Sequence, residues 1–88
     1  MSQEKKEIQF PCRWEFRLIV DAATSDRSRN EVSKISESEN AGFEVTDGEN
    51  SKSGKYVTIR VACEVDSLER ARALAKMLST VQGVRFLI

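Results

Sequence analysis

The chain has 88 residues, with 14 basic and 14 acidic side chains, a formal net charge of zero and no histidine. That length makes one domain with a single small core, burying a little over ~60% of its unfolded surface. The charge balance argues against a global field that would recruit nucleic acid or an acidic membrane, the missing histidine removes the commonest general base and metal ligand, and no apolar run is long enough to span a bilayer.

Residues 1–7 read as a flexible, charged N-terminal tail. They hold no apolar signal core, which argues against secretion through a signal peptide. Ile8, Phe10 and Pro11 lead into the first strand, and Pro11, without an N–H, suits its start and not its middle. From Arg13 to Val20 the chain alternates. Trp14, Phe16, Leu18 and Val20 point one way; Arg13, Glu15, Arg17 and Ile19 point the other. Side chains alternate across a strand, so this is a strand with one buried and one wet face.

Residues 21–42 are polar, with Val32 and Ile35 spaced three apart. The pattern predicts a helix from about Asp26 to about Glu39, capped by Ser25 or Asp26. Its apolar stripe is thin, so it is expected to pack loosely and to open easily. A disordered loop is the alternative that the composition leaves open. Against it stands the rarity of a structureless stretch of that length inside a compact domain. Gly42 ends the stretch and Phe43–Thr46 reads as a short strand. Asp47–Lys55, with Gly48, Asn50, Ser51, Ser53 and Gly54, reads as a long, mobile hairpin loop.

Lys55 to Val81 carries the clearest pattern. Val57, Ile59, Val61, Cys63 and Val65 fall on one face of a strand, and Tyr56, Thr58, Arg60, Ala62 and Glu64 on the other. A helix follows at once. Asp66 is expected as its N-cap, with Glu69 completing a capping-box-like pair. Leu68, Ala71, Leu74, Ala75, Leu78 and Val81 recur at helical spacing. Gly83 falls where a left-handed C-terminal cap belongs. Val84–Ile88 reads as a last strand with Val84, Phe86 and Ile88 inward.

Strand, helix, strand, strand, helix, strand predicts an α+β domain over residues 8–88. It is a ferredoxin-like βαββαβ sandwich, a four-stranded antiparallel sheet with two helices on one face. The Trp14 and Tyr56 strands are then the central pair, and the spatial order is last, first, third, second.

Phe10-Pro11, the aromatic strand with Phe16, Ser53-Gly54-Lys55-Tyr56 opening a strand, and Val84-Arg85-Phe86-Leu87-Ile88 together resemble the YbeD-like family of small bacterial proteins. The resemblance covers about residues 8–88. It implies an ACT-like fold, similar to regulatory domains that often bind amino acids and pair through their sheets, and it brings no established activity. Two features depart from the family pattern. Asp21-Ala22 stands where the family tends to have a glycine after the first strand, and residues 26–39 are less apolar. No ligand residue is therefore carried over to Asp21–Ser25.

The wet sheet face is the leading candidate surface. Arg17, Ile19, Tyr56 and Arg60 are the residues expected to meet a protein partner there, with Ile19, Ala62 and Leu87 making the face partly apolar. The plain alternative is a solvated face with cross-strand charge pairs. RNA stacking on this face is weakly supported, since only Tyr56 is an aromatic of the right parity and the RNP-type pattern is absent. Cys12 and Cys63 share inward parity and are expected to lie close together as inert thiols. Two cysteines without close spacing fit a reducing cytoplasm. Trp14 has core parity. Asp47–Lys55 offers Gly48, Gly54, Lys52 and Lys55 as a weak anion cradle.

No catalytic constellation, metal-ligand cluster or cofactor motif is present in the sequence. The chain therefore reads as a cytoplasmic regulatory or adaptor module that binds and does not catalyse, through a protein partner or its own copy at the sheet. The alternatives are an ACT-type sensor of a small, amino-acid-like ligand and, from a different class, a single-stranded RNA binder.

Overall fold

A computed structural model of the chain describes residues 9–50 and 52–88. The tail expected over residues 1–7 lies outside the described residues. In chain order the elements are β1 (Cys12–Asp21), a 3₁₀ turn (Ala22–Thr24), α1 (Ser25–Ser38), β2 (Glu44–Asn50), β3 (Tyr56–Val65), α2 (Leu68–Ser79) and β4 (Val84–Leu87). The strands form one sheet in the order β2-β3-β1-β4. Every pairing is antiparallel. This is the ferredoxin-like arrangement the alternation predicts, with β1 and β3 at the centre.

Alternation decides which face the helices cover. Phe16, Leu18 and Val20 of β1 and Ile59, Val61, Cys63 and Val65 of β3 join Val32 of α1 and Ala71, Leu74 and Leu78 of α2 in one core. Full burial of each large apolar side chain contributes about 1.5–3 kcal/mol. β1 and β3 pair without a break from Cys12 opposite Val65 to Asp21 opposite Tyr56. Among the described residues no helix covers the other face of this central pair.

Four expectations change. The N-cap of α1 is Thr24, not Ser25 or Asp26, because the helix already begins at Ser25. Asp66 is not the cap of α2: Ser67 is, and its side chain accepts from the Arg70 N–H at 3.0 Å. The long loop over Asp47–Lys55 is shorter, because β2 runs on to Asn50 with a break in register between Asp47 and Asn50. The last strand has the opposite parity at its end. Leu18 pairs with Leu87 and Ile19 with Phe86, while Val20 pairs with Val84. That irregularity sets two residues against one and flips every side chain beyond it. Val84 and Leu87 pack on the core. Phe86 and Ile88 are 65% and 74% exposed.

Candidate functional site

Of the four residues expected on the open face, three converge. Arg17 and Arg60 stand directly opposite each other, and Ile19 stands opposite Thr58. Together with Glu49 and Ile88, Arg17, Ile19, Thr58 and Arg60 line a shallow cavity of about 220 Å³. Tyr56 does not line it; it sits one end further along, opposite Asp21. Like charges placed directly across a strand pair repel, so the arginine pair needs a reason or a counter-charge. Arg17 has Glu15 at 3.8 Å, with both side chains largely exposed. The Arg60 Nε is buried and has no hydrogen-bond partner. A buried donor left unmet costs about 1–3 kcal/mol.

Gly48 brings β2 close against Thr58, beside Arg60. A Cβ at Gly48 would lie 2.7 Å from Thr58 Cγ2 and 3.5 Å from Arg60 Nε. Only a residue without a side chain lets β2 pass this close over Thr58, whereas the Arg60 Nε lies at an ordinary contact distance from the same point.

Phe86 and Ile88 belong to the same face and were not expected there. Phe86 follows from its pairing with Ile19, and Ile88 from its backbone bonds in both directions with Arg17, at 2.9 and 3.1 Å. Leu87, expected on the open face, lies on the core side. No local signal marks the irregularity in β4; it appears only once β4 is aligned with β1. Ala62 has open-face parity but is 4% exposed. The charges at the margins are paired: Arg13 with Glu44 at 2.6 Å and Arg85 with Asp21 at 3.0 Å. In each case the hydrogen-bonded carboxylate raises the guanidinium above its ordinary value.

The remaining candidates resolve simply. Cys12 pairs with Val65 and Cys63 with Trp14, so the two thiols are diagonal neighbours and not opposite each other. Both are free, and burial pushes the Cys63 thiol up, which keeps it protonated and unreactive. Trp14 packs against the core. Gly48 lies inside β2, whereas Lys52, Gly54 and Lys55 are exposed in the turn beyond it, so no anion cradle forms. The Asp21–Ser25 turn is closed by packing. The Ser28 hydroxyl, fully buried, donates to the Gln82 carbonyl at 2.6 Å, and a Cβ on Gly83 would overlap Thr24 Oγ1. A second cavity of about 260 Å³ opens at the start of α2, lined by residues including Pro11, Asn40, Asp66 and Arg70. There Arg70 is already engaged by the Glu39 carboxylate at 2.9 Å and the Glu39 carbonyl at 2.8 Å. Among the described residues no group of three or more His, Cys, Asp or Glu could hold a metal, and no helix is long and apolar enough to cross a membrane.

Comparison with solved structures returns the same fold. The chain is similar to protein HP0495 from H. pylori, with a TM-score of 0.83 and 24% identity over 97% of this chain and 89% of that one. It is similar to the C-terminal domain of the MgtC protein from Mycobacterium tuberculosis, with a TM-score of 0.69 and 14% identity over 94% and 89% of the two chains. The ACT domain from the GTP pyrophosphokinase of Chlorobium tepidum matches with a TM-score of 0.60 and 17% identity over 86% and 94%. At these identities the likeness shows the fold alone. No curated protein matches the chain. A family model matches residues 5–88, and the chain belongs to the family described as "Protein of unknown function (DUF493)".

Proposed function

We propose that the chain is a regulatory or adaptor module that acts by binding, not by catalysis, and that its open sheet face docks a protein partner. The observation that carries this reading is the Arg17–Arg60 pair, one member of which keeps a buried, unpartnered Nε. Beside it stand half-buried Ile19 and exposed Phe86 and Ile88. Guanidinium groups favour carboxylates, and an exposed apolar cluster favours contact over solvation. The partner is therefore one that offers an acidic side chain flanked by apolar ones.

Gentle isolation from the source cells followed by native mass spectrometry tests this. Arg17→Glu and Arg60→Glu keep the melting temperature within a few degrees and lose the co-purifying protein. Retention of the partner by both variants removes the sheet face as the site.

An ACT-type sensor is the second reading. It is favoured by the polar cavity of about 260 Å³ at the start of α2, with Arg70 on its wall. It predicts a melting temperature that rises with one amino acid, by mass action on the folded state. A flat response to every amino acid at millimolar concentration eliminates it.

A further inference from the structure

The open face divides into two halves along its strands. In one half its charges neutralise each other. Arg13 of β1 reaches Glu44 of β2 at 2.6 Å, across the β3 strand that lies between them. Ala62 of β3, in register with Glu15 on one side and Glu44 on the other, is only 4% exposed there. The far margin is closed in the same way, by Arg85 on Asp21 at 3.0 Å.

The half between these pairs is different. Arg17 and Arg60 stand directly opposite each other. The Glu15 carboxylate is 3.8 Å from Arg17, too far for a hydrogen bond. Among the described residues Arg60 and Glu49 have no ion pair, and the Thr58 hydroxyl has no hydrogen bond. Yet Arg17, Arg60, Thr58 and Glu49 all line the one cavity of about 220 Å³. Two cations and an anion thus share a cavity without neutralising one another. A purely acidic ligand there meets Glu49, and a purely basic one meets both arginines; like charges brought together on docking are costly. A ligand that carries an acid and a base side by side satisfies all three.

We propose that this cavity seats a segment of a partner protein in which an acidic side chain lies next to a basic one. The carboxylate sits between Arg17 and Arg60, the cation sits on Glu49, and flanking apolar side chains rest on Ile19 and Phe86. This rests on the reading of the open face as a protein-docking surface, and adds to it a second charge and its place. The carboxylate supplies the Arg60 guanidinium with the acceptor that it lacks within the chain, and charge-assisted bonds to a carboxylate are among the stronger ones. Size favours a segment over a free small molecule. Pockets that enclose small ligands measure about 300–1,000 Å³, whereas this one is smaller and shallow, with room for the ends of two side chains. Two side chains on one side of a helix lie about 5–6 Å apart, and on one side of a strand about 7 Å apart. Either spacing places acid and base within one cavity of this size, so both come from one element of the partner. The cavity at the start of α2 offers no such set, because Arg70 is already held by the Glu39 carboxylate at 2.9 Å.

Random linear peptides displayed on phage, selected on the whole chain and in parallel on Arg17→Glu, test this directly. Both Arg17 and Glu49 are exposed, so their variants are expected to fold, and a melting temperature within a few degrees of the unmutated chain checks it. Peptides recovered on the unmutated chain are expected to carry Asp or Glu with Lys or Arg roughly two to four positions away, the spacings that share one side. Arg17→Glu is expected not to recover them. Glu49→Lys is expected to bind them about tenfold more weakly, the scale of one lost favourable contact. It is also expected to prefer versions in which the basic residue is replaced by glutamate. Recovered peptides that share an acid but no base, and that bind Glu49→Lys unchanged, overturn this proposal and leave an acidic partner on the open face standing. Peptides with apolar residues alone in common, peptides recovered equally on Arg17→Glu, or no recovery above background overturn both.

Discussion

Ser67 and Asp66 are both good helix caps by residue type, and they are adjacent. Backbone geometry chooses between them: Ser67 is extended, at φ −164° and ψ 160°, which turns its hydroxyl onto the Arg70 N–H. Ser67→Ala should cost about 1 kcal/mol in a denaturant titration, and Asp66→Ala clearly less. Equal losses would return the cap to Asp66. Gly83 was expected as the left-handed C-terminal cap of α2; it is left-handed, at φ +89°, but α2 ends at Ser79 with Thr80 as its C-cap, so Gly83 serves the turn into β4 instead. Its second constraint was not legible. A Cβ there would overlap Thr24 Oγ1 and come within 3.0 Å of Ser28 Oγ, both remote in sequence. Gly83→Ala should therefore destabilise by about 1–3 kcal/mol through backbone strain and crowding together. An unchanged melting temperature would mean that the β1–α1 turn yields freely.

At the scale of elements, α1 shows where periodicity runs short. Its thin apolar stripe suggests loose packing, yet Val32 is fully buried beside fully buried Ser28. What supplements the stripe is polar and long-range. Ser28 bonds the Gln82 carbonyl, the Glu31 carboxylate accepts the Gln82 N–H, and Arg29 pairs with Asp47. None of these bonds has a helical or strand period. Val32→Ala should cost about 1–3 kcal/mol, as much as Val61→Ala, since both leave a hole in a closed core. Hydrogen exchange distinguishes their reach: Val32→Ala should speed exchange in Ser25–Ser38 while β1 and β3 stay protected. A cost near zero would show that α1 does pack loosely. β4 gives the converse lesson. Its existence was legible from Val84 to Ile88, but its parity was not, because a single shift of register moves Phe86 and Ile88 to the open face and Leu87 to the core.

The whole molecule presents two surfaces with different chemistry. The open face joins the arginine pair to Ile19, Phe86 and Ile88. Among the described residues no strand pairs with β1 at Arg13 and Glu15, where its edge runs beside an apolar groove. The double test of Arg17→Glu and Arg60→Glu belongs to this scale, since it asks whether association is lost while the fold stands. Arg17 is exposed, and a substitution at such a position usually changes stability by no more than about 0.5 kcal/mol, so a large loss of stability in Arg17→Glu would assign that arginine to the fold and not to a partner.

From the sequence alone came the alternation of β1 and β3, the stripe of α2, the element order and the sheet order, and with them Arg17, Ile19 and Arg60 on one face. These follow from local periodicity, which every residue carries in its own neighbourhood. The tertiary structure alone decided the reach of β2, the parity at the end of β4, the burial of the Arg60 Nε and the close approach of Gly48 to Thr58. Each of these depends on which strand lies beside which and in what register, and register is settled by contacts between residues far apart in the chain.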